Sequence, residues 1–210
     1  GVLRRMYELG ARMMTLTWNH ENELASPQRN PSGVLVPQTE KGLTGKGFEF
    51  LAEMERLHII VDVSHLSDKG FWDIVEHGTR PFAASHSNCR ALAPHTRNLT
   101  DEMIRALSER GGIAGLNYYA LFLDTDPTHP ENCRSTVELI AKHAAHYKQV
   151  GGAQMIALGS DFDGIDGPHQ LENAAFLPLL ADTLRKEGFT EDEVEGIYYR
   201  NAMRFFEENL

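Results

Sequence analysis

The chain has 210 residues, of which 30 are acidic and 20 are basic, so its formal net charge is −10. This balance argues against binding to nucleic acids or to anionic membrane surfaces, which both favour a basic protein face. Hydrophobic residues make up 41% and charged residues 24% of the sequence, which is typical of a soluble globular domain and predicts one domain over residues 1–210. The apolar runs are too short for a transmembrane helix.

The chain contains two cysteines, Cys89 and Cys133, whose separation matches no zinc or redox motif. A reducing, cytoplasmic setting is therefore expected. Residues 1–9 are typical of the end of a helix that stops at Gly10. We therefore expect the sequence to start inside a longer protein.

After this first helix, short apolar segments alternate with longer amphipathic ones. The pattern predicts strands at 13–18, 58–63, 81–85, 113–118 and 154–158. It predicts helices at 44–57, 67–76, 100–110, 135–150, 174–187 and 191–208, and an irregular loop at 19–42. Strands separated by helices imply a parallel sheet, which is compatible with an open doubly wound sheet or with part of a (β/α)8 barrel.

Polar side chains follow four of the predicted strands: His65, His86, Asn117 with Tyr118, and Asp161. In a barrel the carboxyl ends of all strands face one side, where active sites lie. Two imidazoles from adjacent strands can bind one zinc ion, with carboxylates completing its ligands. The spacing alone favours a metal-dependent hydrolase, although a single histidine at a strand end is more often a hydrogen-bonded structural residue.

Five segments of the chain resemble, in order, the membrane (renal) dipeptidase family of zinc peptidases. They are TLTW at 15–18, DVSHLSD at 62–68, ASHSNCRAL at 84–92, RNLTDE at 97–102 and ALGSDFDG at 157–164. The likeness continues to NAMRFFEE at 201–208 and is strongest to bacterial members. It implies a (β/α)8 TIM-type barrel, of which this chain would supply about five C-terminal βα units.

The resemblance also implies roles for individual residues. His65 and His86 correspond to two ligands of one zinc ion in a two-zinc site, and Arg97 corresponds to an arginine that binds the substrate's terminal carboxylate. Asp161 corresponds to an aspartate that transfers a proton while a metal-activated hydroxide hydrolyses a dipeptide. We expect Asn117 and Tyr118 to line the substrate pocket.

Two departures from the family pattern matter. The family's remaining zinc ligands, a His-x-Asp pair and a bridging Glu, are absent from these 210 residues, so the chain offers two of five protein ligands. The position of the family's oxyanion-stabilising histidine corresponds to Trp18, with His20 a weak substitute. A barrel without its first strands would expose two parallel edges. We therefore expect either a homo-oligomer or an additional N-terminal segment.

Other residues are predicted to be structural. The sequence favours solvent-exposed positions for His95, His129 and His169, and a solvated helix face for His143 and His146. Asp62 is predicted to have a structural role, and Trp72 is predicted to lie in the core.

The sequence is compatible with three functional hypotheses. The first is a zinc dipeptidase that requires a free substrate carboxylate. The second is a metal-dependent amidohydrolase for another small amide or lactone, and the third is a non-catalytic barrel fragment with a structural or binding role.

Overall fold

The structure is a computed structural model that describes residues 1–28, 37–126, 128–167 and 169–210. Five strands are present in these ranges: β1 (Met13–Thr15), β2 (Ile60–Asp62), β3 (Ala83–Ala84), β4 (Ile113–Leu116) and β5 (Ile156–Leu158). All four pairings are parallel and the strand order is β1-β2-β3-β4-β5. A doubly wound sheet reverses its strand order at a switch point. The strictly sequential order therefore selects the barrel-type alternative and confirms the predicted fold class.

Helices connect the strands and cover the outer face of the sheet. The first six are α1 (Val2–Glu8), α2 (Gly45–Arg56), α3 (Asp68–His77), α4 (Asp101–Glu109), α5 (Ala120–Leu123) and α6 (Val137–Gly151). The last three are α7 (Leu177–Lys186), α8 (Glu191–Glu195) and α9 (Asn201–Asn209). Short 3-10 turns lie at Pro130–Asn132, Ala153–Met155 and Ala174–Phe176.

Side-chain caps explain where several helices begin. The hydroxyls of Ser67, Thr100 and Thr136 each accept a backbone N–H three residues further along the chain, which satisfies donors that a helix leaves unpaired at its start. At α8, Thr190 and Glu193 form a reciprocal capping box. The helices predicted from residues 67 and 100 thus begin at residues that cap their first turn.

Two predicted elements differ most from the structure. The first strand ends at Thr15 rather than at residue 18, and Trp18 is 67% exposed. The predicted helix 191–208 is divided by a π-helical turn at Gly196–Arg200, after which Asn201 Nδ2 donates to the carbonyls of Ala153 and Ile156. Helix α5 was not predicted. In the predicted loop 19–42, residues 29–36 lie outside the described residues, and the described remainder forms no helix or named strand.

The two faces of the sheet have different partners. Outward-facing side chains such as Val61, Ala84 and Leu116 join the main core with residues of the surrounding helices. Four inward-facing residues instead form a second apolar cluster with Phe205 of α9: Ile60, Ala83, Ile113 and Ala157. Trp72, predicted to be in the core, is 38% exposed because it lies on the outer side of α3. No helix in the described ranges is long and apolar enough to cross a membrane.

Candidate active site

His65 and His86 meet where β2 and β3 end. Their ring centroids are 5.0 Å apart, with an angle of 61° between the planes. Burial, together with the positive charges of Arg97 and His86, lowers the pKa of His65 to about 2. Burial also lowers the pKa of His86, against the opposing effect of Asp62. Both rings are therefore neutral near pH 7, as metal binding requires.

One nitrogen of each ring is already hydrogen-bonded. His65 Nδ1 lies 3.1 Å from Asn19 Oδ1, and His86 Nδ1 lies 2.6 Å from Ser85 Oγ. Neither Nε2 has a hydrogen-bond partner among the described residues. This is the arrangement of metal-binding histidines, in which the second nitrogen is held by an outer partner.

The two histidines fit part of a metal site but not all of one. Protein zinc sites use three or four protein ligands. Within the described ranges, no group of three or more His, Cys, Asp or Glu side chains is close enough together to bind a metal ion. The donor chemistry suits a divalent transition metal, and further ligands must complete its coordination.

Arg97 is a buried cation with free donors. Its side chain is 9% exposed, and Nε and Nη2 have no hydrogen-bond partner among the described residues. The guanidinium lies over the ring of Phe122, 5.3 Å from its centroid. Burial lowers the pKa of Arg97 to about 10, while Asp62 and Asp161 act to raise it, so the group stays charged near pH 7. A buried charge with unpaired donors is costly, and an anionic ligand would remove that cost.

Asp161 is held in place by its backbone and by one amide. Its φ of 61° lies in the left-handed region, and so does the φ of 73° at His65. Such strain in residues other than glycine is often found at functional sites. Asn117 Nδ2 donates to Asp161 Oδ2 over 3.1 Å. The predicted site residues Asn117 and Asp161 are thus in direct contact.

A cavity of about 470 Å³ brings His65, Arg97 and Asp161 together. His86 lies in an adjoining cleft that also contains His65 and Asp161. The main cavity has further walls from Trp18, Asn19, His95, Tyr119, Phe122 and Asp166. Tyr118 is fully buried and packs edge-to-face on Phe162, and it is the adjacent Tyr119 that lines this cavity.

Two buried asparagines hold the loop that carries His86 and Arg97. Asn88 donates to the carbonyl oxygens of Asn117 and Phe122, and its own Oδ1 accepts the Asn117 N–H. Asn98 Oδ1 accepts the Asn88 N–H, and its Nδ2 donates to the carbonyl of Phe122. These side chains form hydrogen bonds with backbone groups that a helix or strand would otherwise pair. The loop is therefore held in place although it contains no strand.

Several histidine predictions were wrong. His95 is half-buried in the cavity wall, and burial together with Arg97 lowers its pKa to about 4. His143 is fully buried: Nδ1 accepts the Cys89 N–H, and Nε2 bonds to the Leu123 carbonyl. His146 is also half-buried and bonds to Asp101. His169 is half-buried, while His129 is exposed as predicted.

Sequence reasoning also missed contacts that only the fold brings together. Asn19 approaches His65 from 46 residues away, and Phe122 lies beneath Arg97. The clearest available signal for the asparagines was their density directly after the third and fourth strands, because amide side chains there commonly hydrogen-bond to loop backbone.

The sequence of this chain matches a known protein family over nearly its whole length. The model of the membrane dipeptidase family (peptidase family M19) matches residues 1–209. The chain belongs to this family. The predicted family is therefore confirmed.

Two relatives among known sequences support the assignment. The uncharacterized protein in the pqqA 5′ region of Klebsiella pneumoniae is 37% identical over 202 residues, covering 96% of this chain and 73% of the relative. An uncharacterized dipeptidase of Schizosaccharomyces pombe is 35% identical over 205 residues, covering 97% of this chain and 48% of the relative. The chain thus spans about half of the yeast protein.

Among solved structures, a metallopeptidase from Rhodobacter sphaeroides bound to a phosphinate mimic of the dipeptide L-Ala-D-Ala is similar to this chain. The TM-score is 0.89 and the identity 29%, over 100% of this chain and 59% of the other. The dipeptidase AC, a metallopeptidase of family M19, gives a TM-score of 0.87 at 30% identity, over 99% of this chain and 59% of the other.

Proposed function

We propose that this chain is part of a zinc-dependent dipeptidase that hydrolyses short peptides with a free terminal carboxylate. One observation carries the proposal: a buried arginine with unpaired donors shares one cavity with an anchored carboxylate and a neutral histidine, Arg97 with Asp161 and His65. The family assignment and the dipeptide mimic bound to the R. sphaeroides relative support the same substrate class.

Arg97 binds the substrate carboxylate. A guanidinium offers parallel N–H donors that match the two oxygens of a carboxylate, which lysine cannot reproduce. Longer peptides would place an amide at this position and lose the charge-assisted bonds. The position of Arg97 would therefore restrict the enzyme to substrates that end inside the cavity.

Asp161 transfers the proton. It lies in the same cavity as Arg97, and Asn117 fixes its carboxylate from behind. A carboxylate so placed can accept a proton from the attacking water and deliver it to the leaving amine. Asn117 thus acts as a positioning residue for this transfer, while Tyr118 supports the cavity from the core.

His65 and His86 would hold one of two zinc ions through Nε2. A bound divalent ion lowers the pKa of water and polarises a carbonyl oxygen. The other protein ligands would come from a segment or a second chain that supplies them, which is also our reason for proposing a homo-oligomer or a longer polypeptide. The free, buried state of Cys89 and Cys133 supports a reducing, cytoplasmic location.

The experiment compares L-alanyl-L-alanine with its C-terminal amide as substrates of the zinc-loaded protein. We expect the wild type to prefer the free acid strongly. Replacement of Arg97 by glutamine should lower kcat/KM for the acid by about 100-fold or more, because a buried charge pair is broken. The rate for the amide should change little.

Two controls make the result specific. Arg134→Gln removes an exposed arginine outside the cavity and should leave both rates unchanged. Equal rates for acid and amide in the wild type would favour the broader amidohydrolase hypothesis. If the protein neither binds zinc nor hydrolyses either substrate after zinc is added, the non-catalytic hypothesis is favoured. The presence of two histidine donors rather than a full ligand set supports the same hypothesis.

A further inference from the structure

A second buried carboxylate, Asp62, lies behind His86. It is 3% exposed and forms no ion pair among the described residues. Its Oδ1 accepts the backbone N–H groups of Ser64 and Ser85 at 3.0 and 2.9 Å. Its Oδ2 accepts the hydroxyls of Thr15 and Ser85 at 2.8 and 2.6 Å. Four hydrogen bonds therefore compensate a buried charge that would otherwise be strongly unfavourable.

The protons in this cluster can be counted. A carboxylate that accepts from two backbone N–H groups and two hydroxyls is ionised and has no proton to donate. Ser85 has one hydroxyl proton, and Asp62 receives it. Ser85 Oγ can then only accept from His86 Nδ1, which lies 2.6 Å away. The proton of the neutral His86 ring must consequently be on Nδ1.

We propose that Asp62 and Ser85 form a hydrogen-bond relay that fixes His86 in the tautomer whose Nε2 lone pair is free to bind a metal ion. The inference rests on the metal-binding role proposed for His86 and assigns positioning roles to two residues outside the ligand set. Asp62 was predicted to be structural, and its bonds to β1 and β3 do join three adjacent strands. The relay gives the same carboxylate a second purpose at the site.

The geometry favours a positioning role over simple sheet stabilisation. Parallel strands are normally joined by backbone bonds and apolar side chains, and a buried carboxylate is an unusual addition. Its shortest hydrogen bond is to Ser85, which is the one side chain among the described residues that hydrogen-bonds to His86 Nδ1. The other histidine, His65, obtains its Nδ1 partner from a loop amide, Asn19, so only His86 is oriented directly by the sheet.

The test is nitrogen NMR of histidine-labelled, metal-free protein at about pH 8, where the two ring nitrogens report which one carries the proton. The His86 signal is identified by its loss in His86→Gln. We expect the Nδ1–H form in the wild type and in Ser85→Thr, which keeps the hydroxyl. Ser85→Ala should lose this preference. Ser135→Ala removes another buried serine hydroxyl, bonded to Tyr118 O, and should leave the His86 signal unchanged.

A second measurement follows the metal. Zinc binding should weaken by about 10- to 100-fold in Ser85→Ala, as is typical when an outer partner of a ligand is removed. It should change much less in Ser85→Thr and not at all in Ser135→Ala. Both effects are measured by titration against a competing chelator.

Two results would overturn the proposal: a wild-type His86 with its proton on Nε2, or a folded Ser85→Ala variant with unchanged tautomer and zinc affinity. The wild-type spectrum decides even if Ser85→Ala does not fold. Failure of the relay is distinct from failure of the proposed function. Dipeptide hydrolysis with the wrong tautomer rejects only the relay, whereas the Nδ1–H form without hydrolysis rejects only the dipeptidase activity.

Discussion

The inner face of the sheet has two ends with opposite chemistry. At the amino end, Ile60, Ala83, Ile113 and Ala157 pack on Phe205. Two residues further along the chain, where alternation continues the same face, lie Asp62 and Gly115 within their strands and Ser85 and Gly159 directly after theirs. The apolar cluster therefore lies only two residues along the chain from the candidate site. That site is polar, has strained backbone and contains hydrogen-bond donors that are not all paired.

This difference indicates which part of the molecule stabilises the fold and which part forms the functional site. The amino end satisfies its side chains completely with apolar contacts. The carboxyl end contains left-handed backbone at two residues and a guanidinium whose Nε and Nη2 have no hydrogen-bond partner in the part of the chain that the structure describes, all of which lower stability. In barrel enzymes such an assignment of ends is general. Mutations at the two ends should therefore separate activity from stability.

The largest expected effect is on activity at the carboxyl end. Asp161→Asn should lower kcat for dipeptide hydrolysis by about 100- to 10,000-fold, the usual range for loss of a proton-transferring group. Asparagine also adopts the left-handed conformation, so the thermal midpoint should stay close to that of the wild type. Asp163→Asn, at an exposed position of the same turn, is the matched control. Similar losses in both variants would refute the role of Asp161.

The amino end should show the converse. Phe205→Ala removes a fully buried ring and should lower the free energy of unfolding by about 3–5 kcal/mol, measured by urea denaturation. Zinc affinity at a denaturant concentration where the variant is still folded should be unchanged. Phe206→Ala, at the partly buried neighbour, should cost less. A change in zinc affinity larger than the change in stability would contradict the separation of the two ends.

A smaller effect should appear in acid, beneath the loop that carries His86 and Arg97. Burial lowers the pKa of His143 to about 4, below its ordinary value near 6.5. The unfolded chain therefore binds this proton first, so stability is complete above about pH 6.5 and decreases as the pH falls toward 4. The loss should be at most about 3 kcal/mol.

His143→Gln tests this by comparing slopes. The variant should lose less stability than the wild type between pH 7 and 4.5, while exposed His129→Gln should follow the wild type. The protection factor for amide hydrogen exchange at Cys89 should decrease in acid, because a protonated Nδ1 can no longer accept its N–H. Parallel pH curves for all three proteins would show that the pKa of His143 is the same in the folded and the unfolded chain, which would contradict the prediction.

The sequence predicted the parts of the fold that local physics determines. All five strands were located from short apolar runs, because strands covered on both faces are apolar throughout. The predicted helix starts at residues 67 and 100 agree with the structure, where Ser67 and Thr100 cap the first turns. The end of β1 and the π-helical turn were missed. The π-helical turn is followed by contacts of Asn201 with Ala153 in a 3-10 turn and with Ile156 at the start of β5, which the local sequence does not reveal.

The site was predictable only where it follows a strand. His65, His86, Asn117 and Asp161 were predicted to lie near one another because strand ends converge on one side of a barrel, and their positions agree with that expectation. His95 and His143 were misjudged because polar loops and helix faces look solvated until a distant segment covers them. Phe122 and Leu123, which cover these two rings, belong to the helix α5 that the sequence pattern did not predict.

The left-handed backbone conformation at three residues other than glycine has a consequence for how the sequence evolves. His58 shares the conformation of His65 and Asp161, with a φ of 57°, but lies in the turn between α2 and β2. In a random library sorted only for heat resistance, glycine or asparagine should become enriched at all three positions, because these residues relieve the strain. In a library sorted for growth on peptides, only position 58 should drift toward them. The two selected libraries would then differ at positions 65 and 161 of the site. Both would carry glycine or asparagine at position 58 of the turn.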